Sequence, residues 1–152
     1  MTRSRPHGSD RGVSTAVGYS LTLGISSLLI VGLLVTAGGF VDDRRGTTVR
    51  QELSVVGQQI AADLNGADRL VRAGGDEVTV RSSLPVEVTG VRYRVEVVPT
   101  AGGGATLRLS TDTPRVTVEV GVSTRTTVAP TEFDGGDVVV RWTGSDLEVG
   151  RA

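Results

Sequence analysis

Residues 16–41 read AVGYSLTLGISSLLIVGLLVTAGGFV, twenty-six residues without one charge. At ~1.5 Å per residue they make roughly 39 Å of helix, enough to cross a hydrocarbon core of ~30 Å with some tilt. Apart from Tyr19, the polar members are small: Ser20, Thr22, Ser26, Ser27 and Thr36. Ser20 and Gly24 are four apart, the spacing of small-residue packing faces, and Gly18, Ser20 and Gly24 form the candidate helix-packing face. A cleaved secretory signal has an apolar region of only ~7–15 residues, so the span predicts a retained transmembrane helix. Small residues at Val35-Thr36-Ala37-Gly38-Gly39 leave ordinary cleavage there as an alternative.

The charges on either side are uneven. Residues 1–12 carry Arg3, Arg5 and Arg11 against Asp10, residues 13–41 carry none, and the remainder holds 13 Arg and 16 acidic residues. A basic head, an uncharged span and a mildly acidic body describe a membrane-targeted chain. Arg44, Arg45 and Arg50 lie beyond the span, so both flanks are basic and the positive-inside rule does not choose an orientation.

The residues just before the span, Arg11-Gly12-Val13-Ser14-Thr15-Ala16-Val17-Gly18, carry a family resemblance. Followed directly by the apolar run, they resemble the archaeal type IV pilin-like proteins, especially those of haloarchaea, with their prepilin-peptidase (class III) signal peptides. The resemblance implies a cut between Gly12 and Val13 on the cytoplasmic side. Arg11 would be the preceding charge, Gly12 the small residue the peptidase requires, and the apolar helix would stay in the mature protein. It also implies three partners: membrane lipid, a prepilin-type peptidase, and other pilin-like subunits met through the N-terminal helix. Thr15 stands where proline is common, and Val17 where bacterial pilins carry a glutamate.

Beyond Val41, Asp42-Asp43-Arg44-Arg45 reads as a solvated interfacial cluster. Val49, Leu53, Val56, Ile60, Leu64, Ala67 and Val71 then recur every three or four residues, with most polar residues elsewhere on the circumference. This predicts an amphipathic helix over 42–75, stopped by Gly74-Gly75, with a kink or break at Gly38-Gly39 and Gly46.

From Asp76 the period changes to two. Val78 and Val80; Val86 and Val88; Val91, Tyr93, Val95 and Val97; Leu107 and Leu109; Val116 to Val122; and Val138, Val140 and Trp142 alternate with polar neighbours. The pattern predicts seven to eight short antiparallel strands. Ala101-Gly102-Gly103-Gly104 reads as a flexible hairpin connection, and Gly144-Ser145 as a two-residue turn before a strand at 146–149. The fold class expected is α+β: a long N-terminal helix, half transmembrane and half amphipathic, then a small antiparallel β-sandwich or meander resting on it. The organisation is a basic leader at 1–12, cleaved; a transmembrane or filament-core helix at 13–41; the amphipathic helix at 42–75; and an extracytoplasmic β domain at 76–152.

Chemistry is sparsely supplied. The chain has no Cys, and its one His, His7, falls in the leader. All its basic residues are Arg, so no Lys can act as a base for a Ser or Thr nucleophile. Glu132, Asp134 and Asp137 lack the spacing of an EF-hand loop and read as a solvated turn. The Gly-rich stretches lack phosphate-loop context, and Arg is interspersed with acids, which argues against nucleic acid. No catalytic, cofactor or metal site is expected. The function expected is a structural pilin-like subunit, minor in abundance, in or priming a surface filament. Its N-terminus would be cytoplasmic and its C-terminal domain outside. The alternative is a signal-anchored single-pass protein presenting a β-sandwich binding module.

Overall fold

The computed structural model describes residues 9–152, with side chains for 17–36 and 44–152. Two compact units result, Met1–Asp42 and Asp43–Ala152. Helix α1 spans Ser9–Arg72. It runs through Gly38-Gly39 and Gly46, where the composition suggests a break. Glycine keeps its backbone donor and acceptor, so the ladder continues at a cost of ~1 kcal/mol per Gly relative to Ala.

The helix ends as its sequence directs. Gly74 adopts φ +95°. Its amide donates to the Val71 carbonyl at 3.0 Å, and the Gly75 amide donates to Leu70 at 3.1 Å. This pair of bonds is a Schellman closure, which satisfies carbonyls that the last turn leaves open.

In the second unit, Val49, Leu53, Val56, Ile60, Leu64 and Ala67 are all buried, as the three-and-four spacing requires, and Val71 packs at the margin. They share one core with the strands. Four of these form a sheet in the order β6-β5-β4-β7: β4 (Arg94–Pro99), β5 (Ala105–Asp112), β6 (Arg115–Val122) and β7 (Thr131–Asp134). Three consecutive strands and a fourth returning beside the first make a Greek key. Gly57 brings the helix onto this sheet, since a Cβ there would meet the Leu109 and Val120 side chains at 2.9 and 2.8 Å. A second sheet, in the order β1-β8-β9, comprises β1 (Thr79–Ser82), β8 (Val138–Trp142) and β9 (Leu147–Arg151). It adds Val138, Val140, Leu147 and Val149 to the core.

Several expectations are corrected. The described residues contain nine strands. Val86 is 54% exposed and lies outside β2 (Glu87–Val88), which pairs with β3 (Val91–Arg92) across Thr89-Gly90, both at positive φ. The strand expected through Tyr93 is divided there into β3 and β4 because Tyr93 turns into the core and donates its hydroxyl to the Pro85 carbonyl at 2.7 Å. Residues 131–134, expected as a turn, are the edge strand β7.

The 101–104 connection is also more constrained than its composition suggests. Gly102, Gly103 and Gly104 all have positive φ, and a Cβ on Gly103 or Gly104 would strike the carbonyls of Thr124 or Val122, whereas Gly102 faces open space. The two-residue turn at Gly144-Ser145 is present, closed by the Thr143 amide donating to Asp146 at 3.0 Å.

The Greek-key crossover, residues 123–130, is fixed to the helix by Asp68. This carboxylate is only 5% exposed, and one oxygen accepts the amides of Arg125 at 3.2 Å and Thr126 at 2.9 Å. Burial raises the pKa of Asp68, but hydrogen bonds from Thr126 and Arg125, with the charge of Arg72, outweigh it and hold the carboxyl below its ordinary value of 3.8.

Two stability predictions follow from these contacts. Asp68→Ala leaves two amides without their acceptor and is expected to cost about 2 kcal/mol in urea unfolding, with Asp68→Asn costing less. Because the folded pKa is lowered, the contribution of the charge is complete above the unfolded value and is lost as pH falls through the folded one. The wild-type excess over Asp68→Asn should therefore vanish in acid and persist at neutral pH. Gly102→Ala is expected to cost about 1–2 kcal/mol from its positive φ alone, and Gly104→Ala distinctly more, since φ and collision add.

Candidate functional site

The stretch Val17–Thr36 of α1 is long and apolar enough to cross a membrane, with a mean hydropathy of 1.9, and none of it is buried. Exposure reaches 74% at Leu28 and 73% at Val35. Soluble monomers seldom leave so large an apolar surface bare, so this one needs lipid, detergent or another protein to cover it.

Polar groups on the span are partly closed internally. Thr22 donates its hydroxyl to the Gly18 carbonyl and Thr36 to the Gly32 carbonyl, both at 2.9 Å and one helical turn away. Such bonds leave less hydrogen-bonding capacity to desolvate in hydrocarbon. Space around Gly18, Gly24 and Gly32 is open, so an approaching helix would meet backbone there. Of the candidate packing residues, Ser20 and Gly24 are a turn apart on one face, whereas Gly18, two residues before Ser20, lies on another.

The candidate processing residues Arg11, Gly12 and Val13 fall in the opening turns of α1, and their side chains lie outside the described residues, as do those of Asp42 and Asp43. The leader residues 1–8 lie outside them entirely.

The acidic cluster is dispersed by its surroundings. Glu132 and Asp134 face Arg94 at 3.2 and 3.7 Å, while Asp137 accepts from the Ser83 hydroxyl at 2.7 Å. Among the described residues no group of three or more His, Cys, Asp or Glu side chains could hold a metal.

Two features escape the sequence pattern. Asp68 occupies what reads as the polar circumference of the helix, and only the return of the 123–130 crossover buries it. A groove of about 650 Å³ lies between α1 and residues 82–88. Its lining includes Val55, Val56, Leu84 and Val88, together with Glu52 and Glu87. Val55 alone hints at it, as an exposed apolar residue off the buried stripe.

The model of a family of unknown function, DUF7266, matches residues 8–150. The chain belongs to this family. No curated protein and no solved structure matches it. The family match takes in the apolar span and the β body of this DUF7266 chain together, and it opens one residue before α1.

The exposed span makes a direct solubility prediction. Purified full-length chain is expected to sediment as aggregate or with lipid in plain buffer and to be monodisperse in detergent above its micelle concentration. Analytical ultracentrifugation in the two solvents distinguishes these states.

Proposed function

We propose that this DUF7266 chain is a pilin-like structural subunit, minor in abundance, anchored by the first half of α1 and assembled into or priming a type IV pilus-like surface filament. The observation that carries this reading is the division of labour within one helix. Val17–Thr36 is bare and apolar, while Val49 to Ala67 of the same helix is the buried spine of the β body.

Ordinary signal cleavage near Ala37–Gly39 would cut α1 within its length and discard its apolar part. Cleavage between Gly12 and Val13 would instead remove the basic leader and keep the whole apolar span. That span then serves in either of two environments, in the bilayer as an anchor or against other subunits as a filament core. Small residues help in both cases, since they let helix backbones approach closely. In this reading the N-terminus is cytoplasmic, the β body lies outside, and the lineage is archaeal, as the resemblance of the leader implies.

The processing step is tested by sequencing the mature N-terminus. It is expected to begin at Val13, and Gly12→Leu is expected to leave the chain twelve residues longer, in the membrane and out of any filament. A Leu28→Arg substitution within the span adds about 3 kcal/mol to the cost of insertion and should shift chain from the membrane fraction to the soluble or degraded pool. Unchanged size and location in Gly12→Leu would favour the signal-anchored binding module.

A further inference from the structure

Strand β6 is the outermost strand of its sheet. On one side it pairs with β5 along its whole length, and among the described residues no strand lies on the other. At the opposite edge of the sheet β7 lies against β9, whose Val149 carbonyl accepts the Thr131 hydroxyl at 2.7 Å. Natural edge strands are blunted by shortness, proline, a bulge or charge. β6 is eight residues long, its register is unbroken, and no proline falls within it. The two-residue connection 113–114 makes Asp112 and Arg115 a hydrogen-bonded pair, so by alternation Arg115, Thr117, Glu119 and Gly121 bond to β5. Val116, Val118, Val120 and Val122 turn their amides and carbonyls to the open edge.

The side chains along that edge complement themselves. Arg115, Thr117, Glu119 and Gly121 are exposed on the outer face, while Val118 and Val120 on the inner face are only half-buried. Glu119 meets Arg108 at 3.0 Å, but Arg115 has no ion pair of 4 Å or less among the described residues. Gly121 answers no need of its own chain, since its φ is not positive and a Cβ there would meet nothing within 4 Å. A glycine of this kind in a strand suits the close approach of another chain.

We infer that β6 pairs antiparallel with β6 of a second copy of this chain, about a two-fold axis through Val118, so that two four-stranded sheets join edge to edge. Length and charge together select this register. Centring the pair on residue 118 or 119 overlaps seven of the eight residues, more than any other centre. Centring on 119 sets Glu119 directly against Glu119 of the other copy, and like charges so placed repel. Centring on Val118 sets Thr117 opposite Glu119 of the second copy and Arg115 over Gly121, with Arg115 reaching diagonally to that same Glu119. The cross-strand row of Glu96, Arg108 and Glu119 then continues in alternating sign. On the inner face Val118 meets Val118 and Val116 meets Val120, which covers the half-buried valines.

The contact uses the same patch twice and closes at two chains. Its axis stands perpendicular to the sheet, so it reverses the buried half of α1 along with the strands. Subunits of one filament share one helix direction, so this pairing is not a step of filament growth. It joins β bodies that meet in opposite orientation, and it does not rest on the filament reading.

The absence of cysteine from the natural chain provides the test. Full-length Thr117→Cys and Glu119→Cys chains with different affinity tags are purified in detergent, mixed in reductant and then mildly oxidised. Positions 117 and 119 would face each other in a non-hydrogen-bonded pair with Cα atoms ~4.5 Å apart, within the range of a disulfide. The mixture is therefore expected to give a covalent heterodimer, and either variant alone to give no homodimer. Val118→Pro added to both chains spares the ladder with β5, because the amide it removes points to the open edge. It should abolish the heterodimer while urea unfolding still reports a folded chain. A homodimer of Thr117→Cys or of Glu119→Cys alone would centre the pair on another residue and overturn the assignment. No covalent dimer in the mixture would overturn it as well, as would a heterodimer that survives Val118→Pro. None of these outcomes depends on N-terminal processing, on which the filament reading is tested separately.

Discussion

The apolar ridge of α1 from Val49 to Ala67 is the surface on which the β strands find their interior. A Greek-key sheet of four strands has one face of Val and Leu and one face of charged residues, and the first of these must be covered. The aromatic supply is too small for the sheets to do it alone, because the β body contains only Tyr93, Phe133 and Trp142. The helix supplies Leu53, Ile60 and Leu64, each with no exposed surface, against Leu107 and Leu109, equally buried. Gly57 permits the approach, because any side chain there would occupy the space that Leu109 and Val120 fill. The helix is therefore a structural layer of the domain as well as its connection to the apolar span.

Closure of the fold depends on a second, polar contact. After β6 the chain must cross to the far side of β4, and the crossover carries backbone amides into a region that Asp68 has taken from water. The carboxylate and the amides of Arg125 and Thr126 satisfy each other, and the Thr124 hydroxyl closes on the Thr126 carbonyl at 2.7 Å. A buried carboxylate with fewer donors would be a liability. Outside, the charged face is organised less stringently: Arg108 lies between Glu96 at 2.8 Å and Glu119 at 3.0 Å, across three adjacent strands. Those groups are largely in water, so they contribute little to stability and more to keeping the sheet face soluble.

The difference in legibility between parts of the fold follows from the range of the forces involved. Helix periodicity is local and one-dimensional, so Val49, Leu53, Val56, Ile60, Leu64 and Ala67 could be assigned to the core from spacing alone. Alternation likewise located β5, β6 and β8, whose inward residues are consecutive odd or even positions. β7 was hidden because Thr131-Glu132-Phe133-Asp134 offers one large apolar side chain, and its strand character comes from the ladder with β4, a partner about 35 residues earlier in the chain. Val86 misled for the converse reason: its alternation with Val88 is real, but Pro85 and the Tyr93 contact turn the chain before a ladder forms. Asp68 and the groove lie furthest from local reach, since each is made by segments that meet only after folding. The exposed span needs no such information, because its length and lack of charge are properties of one uninterrupted segment.

A single helix thus joins a bare apolar half to a half packed in the β body, and the two halves gain their stability differently. Isolated helices in water are marginal even at ~12–15 residues, because nucleation is costly, and most gain their stability from packing. The second half of α1 obtains it from the sheets. The first half has no packing partner within the described residues and would depend on the strength of backbone hydrogen bonds in an apolar medium, where an unmade bond costs several kcal/mol. A helix nucleated at either end can propagate through Gly38-Gly39 and Gly46, each a local cost, because both flanking segments independently favour the same conformation. The glycines weaken that continuity without abolishing it. In this way the apolar span and the first layer of the α+β body remain parts of one element.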